Sequence, residues 1–412
     1  MAPADTALSG APRRAPLRIA LVHQRHAAVG GTERFLNALA AHLADRGHEV
    51  VIVCRRHEAA PHPRVHFERL HGFALGTSWR LWRFARDVER HLARTRYDLV
   101  LGLGKTATQD VIRAGGGCHQ TYVELAHRWV KQPWERAFGL GRLKNRLANQ
   151  LERRAYSPGA YRRIIAISEM VKRDLVARHG VPERSIRLIH NGVDLRRFHP
   201  SRRAGDGAAL RASLGWGPEH FVLLFLGRGF GRKGLDRLLE AFAAIATERP
   251  AARLLVVGRD RGRPAYERQA ARLGLGDRVR FLGERGDPES CYAAADLYVL
   301  PARYDAFAFS VLEALATGLP VVTTDRTGAS ELIEPGFGSV IGAEGDAAEL
   351  AEALRHWSEP GRAARAAPLA RGCAERHPFE STLDATEAVL LEVEQGRSRP
   401  VPVAPLANAA SC

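Results

Sequence analysis

Short apolar runs alternate with segments of helical periodicity along most of this chain. In the first half, runs of strand length occur at residues 17–22, 49–54, 97–103, 110–114, 162–167 and 186–189. Between the first two runs, Phe35, Leu36, Leu39 and Leu43 recur at the spacing of an amphipathic helix, and Thr32 is its predicted N-cap. Ser168 is predicted to cap a later helix. Strands that alternate with helices predict a parallel sheet covered on both faces.

The same pattern restarts in the second half. Predicted strands lie at residues 221–226, 253–257, 279–282 and 296–300, and predicted helices at 235–246, 265–273, 288–294 and 360–393. A chain of 412 residues is too long for one ordinary core. The predicted fold class is therefore α/β, with two Rossmann-like parallel-sheet domains that face a cleft, because such sheets bind ligands at the carboxyl ends of their strands.

The domain boundaries follow from turns and polar runs. We expect an N-terminal domain at residues 17–198 with a basic helical insertion at 121–156, and a C-terminal domain at 199–376. A helix at 377–395 is predicted to return to the N-terminal domain. Residues 1–16 and 396–412 are rich in Ala and Pro and are predicted to be disordered tails.

Composition narrows the class of partner. The formal net charge is +16, and nearly all of the positive charge is Arg, since Lys occurs at only five positions. Such a chain favours anionic partners, but it has no motif that reads DNA or RNA, so no nucleic acid partner is expected. Five cysteines without a CxxC pair argue against a disulfide framework or a zinc site and suit a reducing cytoplasm. The N-terminus lacks the apolar core of a signal peptide.

Residues 121–156 form a basic segment with interleaved aromatic residues, among them Trp129, Trp134 and Phe138. Two interpretations stay open. The segment is either a contact with an anionic membrane surface or a helical excursion packed on its own domain with a solvated basic face.

A glycine-rich loop, GRGFGRKG, follows the first strand of the second half. It contains GxGxxG at Gly229, Gly231 and Gly234, so an NAD(P)-dependent oxidoreductase using residues 229–234 is one reading. The other reading rests on Lys233, one of the five lysines, beside Arg232. Two such cations can stabilise the charge of a leaving diphosphate without a metal, and no Asp-x-Asp motif offers metal ligands.

Residues 301–324 read as loop, helix, turn and buried strand. Asp305 lies in the loop and Glu313 in the helix, which is predicted to begin near Phe307 and to present free N–H groups to an anion. In the first half, Gly30 and Gly31 precede a helix in a similar way. Glycines at 115–117 predict either a tight turn or a backbone pressed against a ligand. The nearby His119 is either an active-site residue or a surface histidine.

These motifs resemble the large retaining glycosyltransferase family 4, which has the GT-B fold. The resemblance rests on G-R-x4-K-G from Gly227 to Gly234 and on an acid at Asp305 followed by x7-E-A-x-A-x-G-x-P-V-V. Within the family, the pattern is most similar to members that transfer glucose to lipopolysaccharide core. It implies a metal-independent hexosyltransferase without a cofactor, with UDP-glucose or another UDP-hexose as donor and a lipid-linked saccharide as acceptor. The enzyme would lie at the cytoplasmic face of the inner membrane, peripherally bound through residues 121–156.

The resemblance also implies roles for particular residues. Arg228 and Lys233 would hold the donor diphosphate, with Arg232 as a further cation. Asp305 would meet the sugar hydroxyls in the place where the family usually has Glu. The other implied donor contacts come from two glycines, a run of amides and the ribose-binding acid: Gly30, Gly31, Phe307, Ala308, Phe309, Ser310 and Glu313. Ala308 stands where glycine is common, and His119 is the nearest candidate for the N-domain catalytic residue.

Overall fold

The computed structural model describes residues 15–26, 30–58, 60–72, 76–129 and 140–396. The tails predicted at 1–16 and 396–412 therefore lie outside the described residues, except for residues 15, 16 and 396.

The N-terminal unit is built on a parallel sheet of seven strands. The strands are β1 Arg18–Val22, β2 Glu49–Cys54, β3 Val65–Arg69, β4 Leu99–Gly102, β5 Val111–Arg113, β6 Arg163–Ala166 and β7 Ile186–Leu188. Their spatial order is β3-β2-β1-β4-β5-β6-β7. The central strands are apolar and buried because helices cover both faces. The edge strand β3 has only one buried residue, Val65. The sequence analysis did not predict this strand, because its apolar and polar residues follow no clear strand pattern.

Within the described residues, five helices accompany this sheet. They are α1 Gly31–Asp45, α2 Gly76–Arg94, α3 His119–Trp129, α4 Leu140–Ala155 and α5 Glu169–His179. The predicted cap at Thr32 was wrong, because α1 begins at Gly31 and Gly30 is its N-cap without any side-chain bond. The predicted cap at Ser168 is confirmed, since its side chain accepts from the Val171 N–H.

The C-terminal unit repeats the architecture with six parallel strands. They are β8 Phe221–Leu226, β9 Ala252–Val257, β10 Val279–Gly283, β11 Leu297–Leu300, β12 Val321–Thr324 and β13 Gly338–Ile341, in the order β10-β9-β8-β11-β12-β13. Its helices are α6 Asp206–Ser213, α7 Leu235–Ala246, α8 Arg263–Arg272, α9 Pro288–Ala294, α10 Phe309–Ala316, α11 Ala347–Trp357 and α12 Arg362–Glu375. Short 3-10 helices lie at Glu183–Ser185, Pro200–Arg203, Gly276–Arg278 and Gly328–Leu332.

The described part of the chain closes with a helix that packs on the first unit. The sequence predicted one helical stretch at 360–393, whereas the structure breaks it before Pro378, the N-cap of α13 Phe379–Gln395. Leu383, Val389 and Leu390 of α13 share a buried cluster with α1. The described chain thus passes twice between the two units.

The described parts of the 121–156 segment are α3 and α4. Leu151 and Glu152 of α4 are buried against the rest of the unit, while Lys144, Arg146 and Arg153 are exposed. The side chains of Trp129, Trp134 and Phe138, on which the membrane interpretation depends, lie outside the described part. Among the described residues, no helix is both long enough and apolar enough to cross a bilayer.

Candidate functional site

A cavity of about 480 Å³ lies where the carboxyl ends of the two sheets meet. From the first unit it is lined by the loops that follow β4 and β5 and by the start of α3. From the second unit it is lined by Arg232 of the glycine-rich loop and by Tyr304, Asp305 and Ala306 after β11. Ser168 ties the two walls together, because its hydroxyl donates to the Ala306 carbonyl at 2.9 Å.

Three of the predicted site residues meet directly beside this cavity, and two of them, Arg232 and Asp305, line it. Asp305 Oδ2 accepts from Arg232 Nη1 at 2.9 Å and from Lys233 Nζ at 3.2 Å. The Lys233 side chain is only 8% exposed. Burial alone would raise the pKa of Asp305, but the charges of Lys233 and Arg232 outweigh it and hold that pKa well below its usual value. The glycine-rich loop and the Asp305 loop therefore form one ionised cluster.

The helix after Asp305 begins two residues later than the sequence predicted, at Phe309 rather than Phe307. Its N-cap is Ala308, whose φ of 61° is the only left-handed value among the described non-glycine residues. A glycine would adopt this conformation without steric cost. The first N–H groups of a helix have no partner within it, so this end of α10 suits an anion.

The start of α1 lies against the start of α10. A side chain on Gly31 would come within 2.9 Å of the Phe309 ring, so the close approach of the two units requires glycine there. Gly30 precedes it with φ of 135°. The structure thus brings the predicted N-domain glycines to the predicted anion-binding helix end of the other domain.

Glu313 is buried on α10 and already has two partners. Its Oε1 accepts from Arg34 of α1 at 2.7 Å, and its Oε2 accepts from the Tyr292 hydroxyl at 2.8 Å. An ionised carboxylate offers about four acceptor positions. Glu313 can therefore accept further hydroxyl groups, or exchange Arg34 for them, because the Arg34 side chain is 42% exposed.

Arg228 is not part of the ionised cluster. Its guanidinium pairs with Glu284 on the surface, and its side chain is 56% exposed. Arg228 does not line the cavity, in contrast to Arg232. The pair with Glu284 uses Nε and Nη2 of Arg228 and holds the guanidinium at the surface.

The opposite wall holds His119 in a second polar cluster. Its backbone N–H donates to the buried Glu152 carboxylate at 2.9 Å, and its Nε2 lies 3.2 Å from Asn145 Oδ1. Burial, assisted by the charge of Lys105, lowers the pKa of His119 to about 4, so the ring is neutral at pH 7. Donation from Nε2 to Asn145 then leaves Nδ1 as an acceptor.

Lys105 and Glu152 were not predicted as site residues. The Lys105 ammonium lies 3.9 Å from Glu152, and burial lowers its pKa to about 8. Both residues line the cavity. The scarcity of lysine was a signal that could have identified Lys105. This lysine lies in the loop after β4, as Lys233 lies in the loop after β8.

Arg113 and Tyr304 were also missed. Arg113 is 4% exposed, lies over the Phe35 ring and pairs with Asn191, and within the described residues it has no carboxylate partner. Tyr304 packs against Gly117, where a Cβ would meet its hydroxyl. The three-glycine loop is therefore a turn pressed against the other domain, a possibility that the sequence did not indicate.

Two family models match the chain and together cover most of it. Residues 29–197 match the model described as Glycosyltransferase Family 4, and residues 207–368 match that of Glycosyl transferases group 1. The lipopolysaccharide glucosyltransferase WaaG of Escherichia coli K12 is 28% identical over 330 residues, which is 79% of this chain and 85% of that protein.

Solved structures share the fold. A crystal structure of WaaG, described as a glycosyltransferase involved in lipopolysaccharide biosynthesis, superimposes with a TM-score of 0.78 and 24% identity over 90% of this chain and 99% of that one. Anabaena HepE in complex with UDP-glucose gives a TM-score of 0.69 and 23% identity over 91% and 100% of the two chains.

The predicted α/β class with two facing parallel sheets is confirmed. The glycine-rich loop belongs to a glycosyltransferase that uses a nucleotide sugar, and not to an NAD(P)-dependent oxidoreductase. Since both halves of the chain match glycosyltransferase models and the whole shares their architecture, the chain belongs to glycosyltransferase family 4 and has the GT-B fold.

Proposed function

We propose that this enzyme is a retaining, metal-independent glucosyltransferase that moves glucose from UDP-glucose to a lipid-linked saccharide such as lipopolysaccharide core. The observation that carries the proposal is the ionised cluster of Arg232, Lys233 and Asp305 at the start of α10, opposite the polar N-domain wall. The names of the relatives support the choice of sugar and acceptor, since WaaG is a lipopolysaccharide glucosyltransferase and HepE binds UDP-glucose.

In this proposal the C-terminal domain holds the donor. Lys233 and Arg232 face the diphosphate together with the amides of residues 308–310, and these positive groups take up the charge of the leaving UDP. The Phe307 N–H, predicted as a donor contact, instead donates to Asp305 Oδ1 at 3.3 Å. Glu313 accepts from the ribose hydroxyls, in exchange for Arg34. Asp305 accepts from the hydroxyls of the transferred sugar. Arg228 contributes a further positive charge from the surface, where it pairs with Glu284.

The N-terminal domain would present the acceptor. Gly30 and Gly31 let the backbone approach the diphosphate closely. His119, neutral at pH 7, is placed to accept from a hydroxyl of the sugar or the acceptor through Nδ1. Attack from the same face as the departing diphosphate, with a phosphate oxygen taking the proton of the acceptor hydroxyl, would retain the anomeric configuration.

We place the enzyme at the cytoplasmic face of the inner membrane, held peripherally through residues 121–156. The exposed basic residues of α4 support this location, because anionic lipids attract such a face. Sedimentation with phosphatidylglycerol vesicles should deplete the wild type, and a Lys144→Gln, Arg146→Gln, Arg153→Gln variant should stay in solution. Equal binding to phosphatidylcholine vesicles would contradict an electrostatic attachment.

The donor is tested by hydrolysis assays with a panel of UDP-, GDP- and ADP-sugars. UDP-glucose should be hydrolysed with the highest kcat/KM. A preference for a GDP- or ADP-sugar would refute the proposed donor while leaving the family intact.

The site assignment is tested by Lys233→Ala and Glu313→Ala, each of which should lower transfer at least about 100-fold because a charged contact to the donor is lost. Lys172→Ala and Glu352→Ala serve as matched controls, since their pairs with Glu183 and Arg355 lie outside the cavity. Full activity of a folded Lys233 or Glu313 variant would contradict the assignment.

A further inference from the structure

A second groove opens on the N-terminal domain and is larger than the cleft cavity. Its volume is about 810 Å³, and it lies at the carboxyl ends of three neighbouring strands. The lining consists of Gln24 to His26 after β1, Arg55 to Glu58 after β2, Arg69 to Gly72 at the end of β3, and Arg80 of α2. No predicted site residue lies in it.

The groove is strongly positive. Five arginines and three histidines surround a single acid, Glu58. Among the described residues, Arg25, Arg56 and Arg69 line this groove and take part in no ion pair. Three exposed guanidinium groups without counter-ions attract oxyanions, and their planar donors fit phosphate and carboxylate in a bidentate manner.

The arginines project from a fixed backbone. The loops after β1 and β2 continue as a bridge between Arg25 and Arg56, with a hydrogen bond from the Arg55 N–H to the Gln24 carbonyl at 3.1 Å. The Arg55 guanidinium is bound to the Gly72 carbonyl and thereby joins the β3 loop to the other two. The groove is therefore preorganised, which lowers the entropic cost of binding.

Its position relates it to the transfer reaction. The sheet order β3-β2-β1-β4 places the groove on the same edge as the cleft, with the end of β1 between them. At a strand spacing of about 4.8 Å, the ends of β2 and β3 lie roughly 10–15 Å from the end of β4. A short oligosaccharide whose reacting hydroxyl lies in the cleft would extend over this groove.

We propose that this arginine groove binds a phosphate or carboxylate group carried by the acceptor, so that the enzyme prefers anionic acceptors to neutral ones. The inference rests on the proposed function, because it assumes that the acceptor saccharide lies on the N-terminal domain. The ligand class is an oxyanion several atoms distant from the hydroxyl that receives the sugar.

The first test compares acceptors made from one truncated lipopolysaccharide: untreated, dephosphorylated and carboxyl-reduced. The groove variant is Arg25→Gln, Arg56→Gln, Arg69→Gln. Its kcat/KM for the untreated acceptor should fall at least about tenfold because KM rises, whereas its rate of UDP-glucose hydrolysis should not change. If the wild type uses the dephosphorylated acceptor poorly, the recognised group is a phosphate. If it uses the carboxyl-reduced acceptor poorly, the group is a carboxylate.

The matched control removes the same charge from the opposite, amino-terminal edge of the sheet. It carries Arg64→Gln, Arg94→Gln and Arg96→Gln, all at exposed positions. The control should retain the wild-type preference for the untreated acceptor. A groove variant that retains the same preference, or a wild type that uses all three acceptors equally well, would overturn the proposal while leaving the proposed function intact.

A second measurement does not depend on transfer. Calorimetric titration of the full chain with inorganic phosphate, in the presence of excess UDP to fill the donor site, should show binding that the groove variant loses. Equal binding by the variant and the wild type would overturn the site. The groove could instead bind the phosphate of a membrane lipid, and binding to phosphatidylglycerol vesicles distinguishes this ligand from the acceptor. If the variant lost vesicle binding while its acceptor kinetics stayed unchanged, the assignment to the acceptor would be refuted. Absence of UDP-glucose hydrolysis in the wild type would instead count against the proposed function alone.

Discussion

Replacement of Asp305 by Asn removes the carboxylate that forms an ion pair with the buried Lys233. Lys233 is 8% exposed and cannot reach water as it stands, whereas Arg232 is 31% exposed and can turn outward. Removing one partner of a buried pair costs about 3–5 kcal/mol. Because Arg232 recovers part of its hydration, we expect Asp305→Asn to lower the free energy of unfolding by about 2–4 kcal/mol.

That loss corresponds to a fall in melting temperature of about 5–12 °C for a domain of this size. Addition of UDP should then stabilise the variant more than the wild type, since the diphosphate would replace the missing negative charge beside Lys233 and no longer compete with Asp305. Thermal unfolding with and without UDP measures both effects. Asp277→Asn is the control, because the Asp277 side chain is 95% exposed.

Two results would refute this reasoning. An unchanged melting temperature for Asp305→Asn would mean that the cluster does not depend on its carboxylate. A smaller UDP-induced shift in the variant than in the wild type would mean that Asp305 assists the diphosphate site instead of competing with it.

Three further substitutions test the pH dependence and the backbone. The pKa of His119 near 4 lies below the unfolded value near 6.5, so the unfolded chain binds more protons between these pH values and stability falls as pH drops through this window. His119→Gln should reduce the loss of unfolding free energy between pH 7 and pH 4.5 by about 1–2 kcal/mol in urea titrations, with allowance for partial exposure. The control His66→Gln, at an exposed position, should leave that loss unchanged. An identical loss in both variants would contradict the burial argument. Gly234→Ala should destabilise by at least about 2 kcal/mol, because φ is 77° and the new Cβ would lie 2.0 Å from the Pro301 carbonyl oxygen. Ala308→Gly should instead stabilise by up to about 1 kcal/mol in the same titrations, and a destabilised variant would show that the φ of 61° carries no strain.

Much of the architecture could be predicted because strands and helices leave local periodic signals. The boundaries predicted for β2, β8, α7 and α9 agree with the structure, since apolar runs end at glycine, proline or polar turns there. The edge strand β3 and the arginine-rich helix α2 were missed. Each buries only part of its surface, so its pattern is weak.

The candidate site was predictable to the extent that its parts are sequence-local. The glycine-rich loop and the loop and helix start after Asp305 were both predicted to bind an anionic group of the ligand. Their direct ion pairs were not, because residues more than 70 positions apart meet only when β8 and β11 lie side by side. Arg34 was missed for the same reason, since its partner Glu313 lies on the other domain.

The order of residues alone therefore determined two α/β units, a cationic glycine-rich loop and the acids at 305 and 313, because each depends on spacing within one element. The tertiary structure decided which charges neutralise one another. Asp305 pairs with Lys233, and Arg228 pairs with Glu284. Arg25, Arg56 and Arg69 have no ion-pair partners among the described residues. Electrostatic interactions depend on distance and burial, and both arise only when strands that are remote in the chain become neighbours.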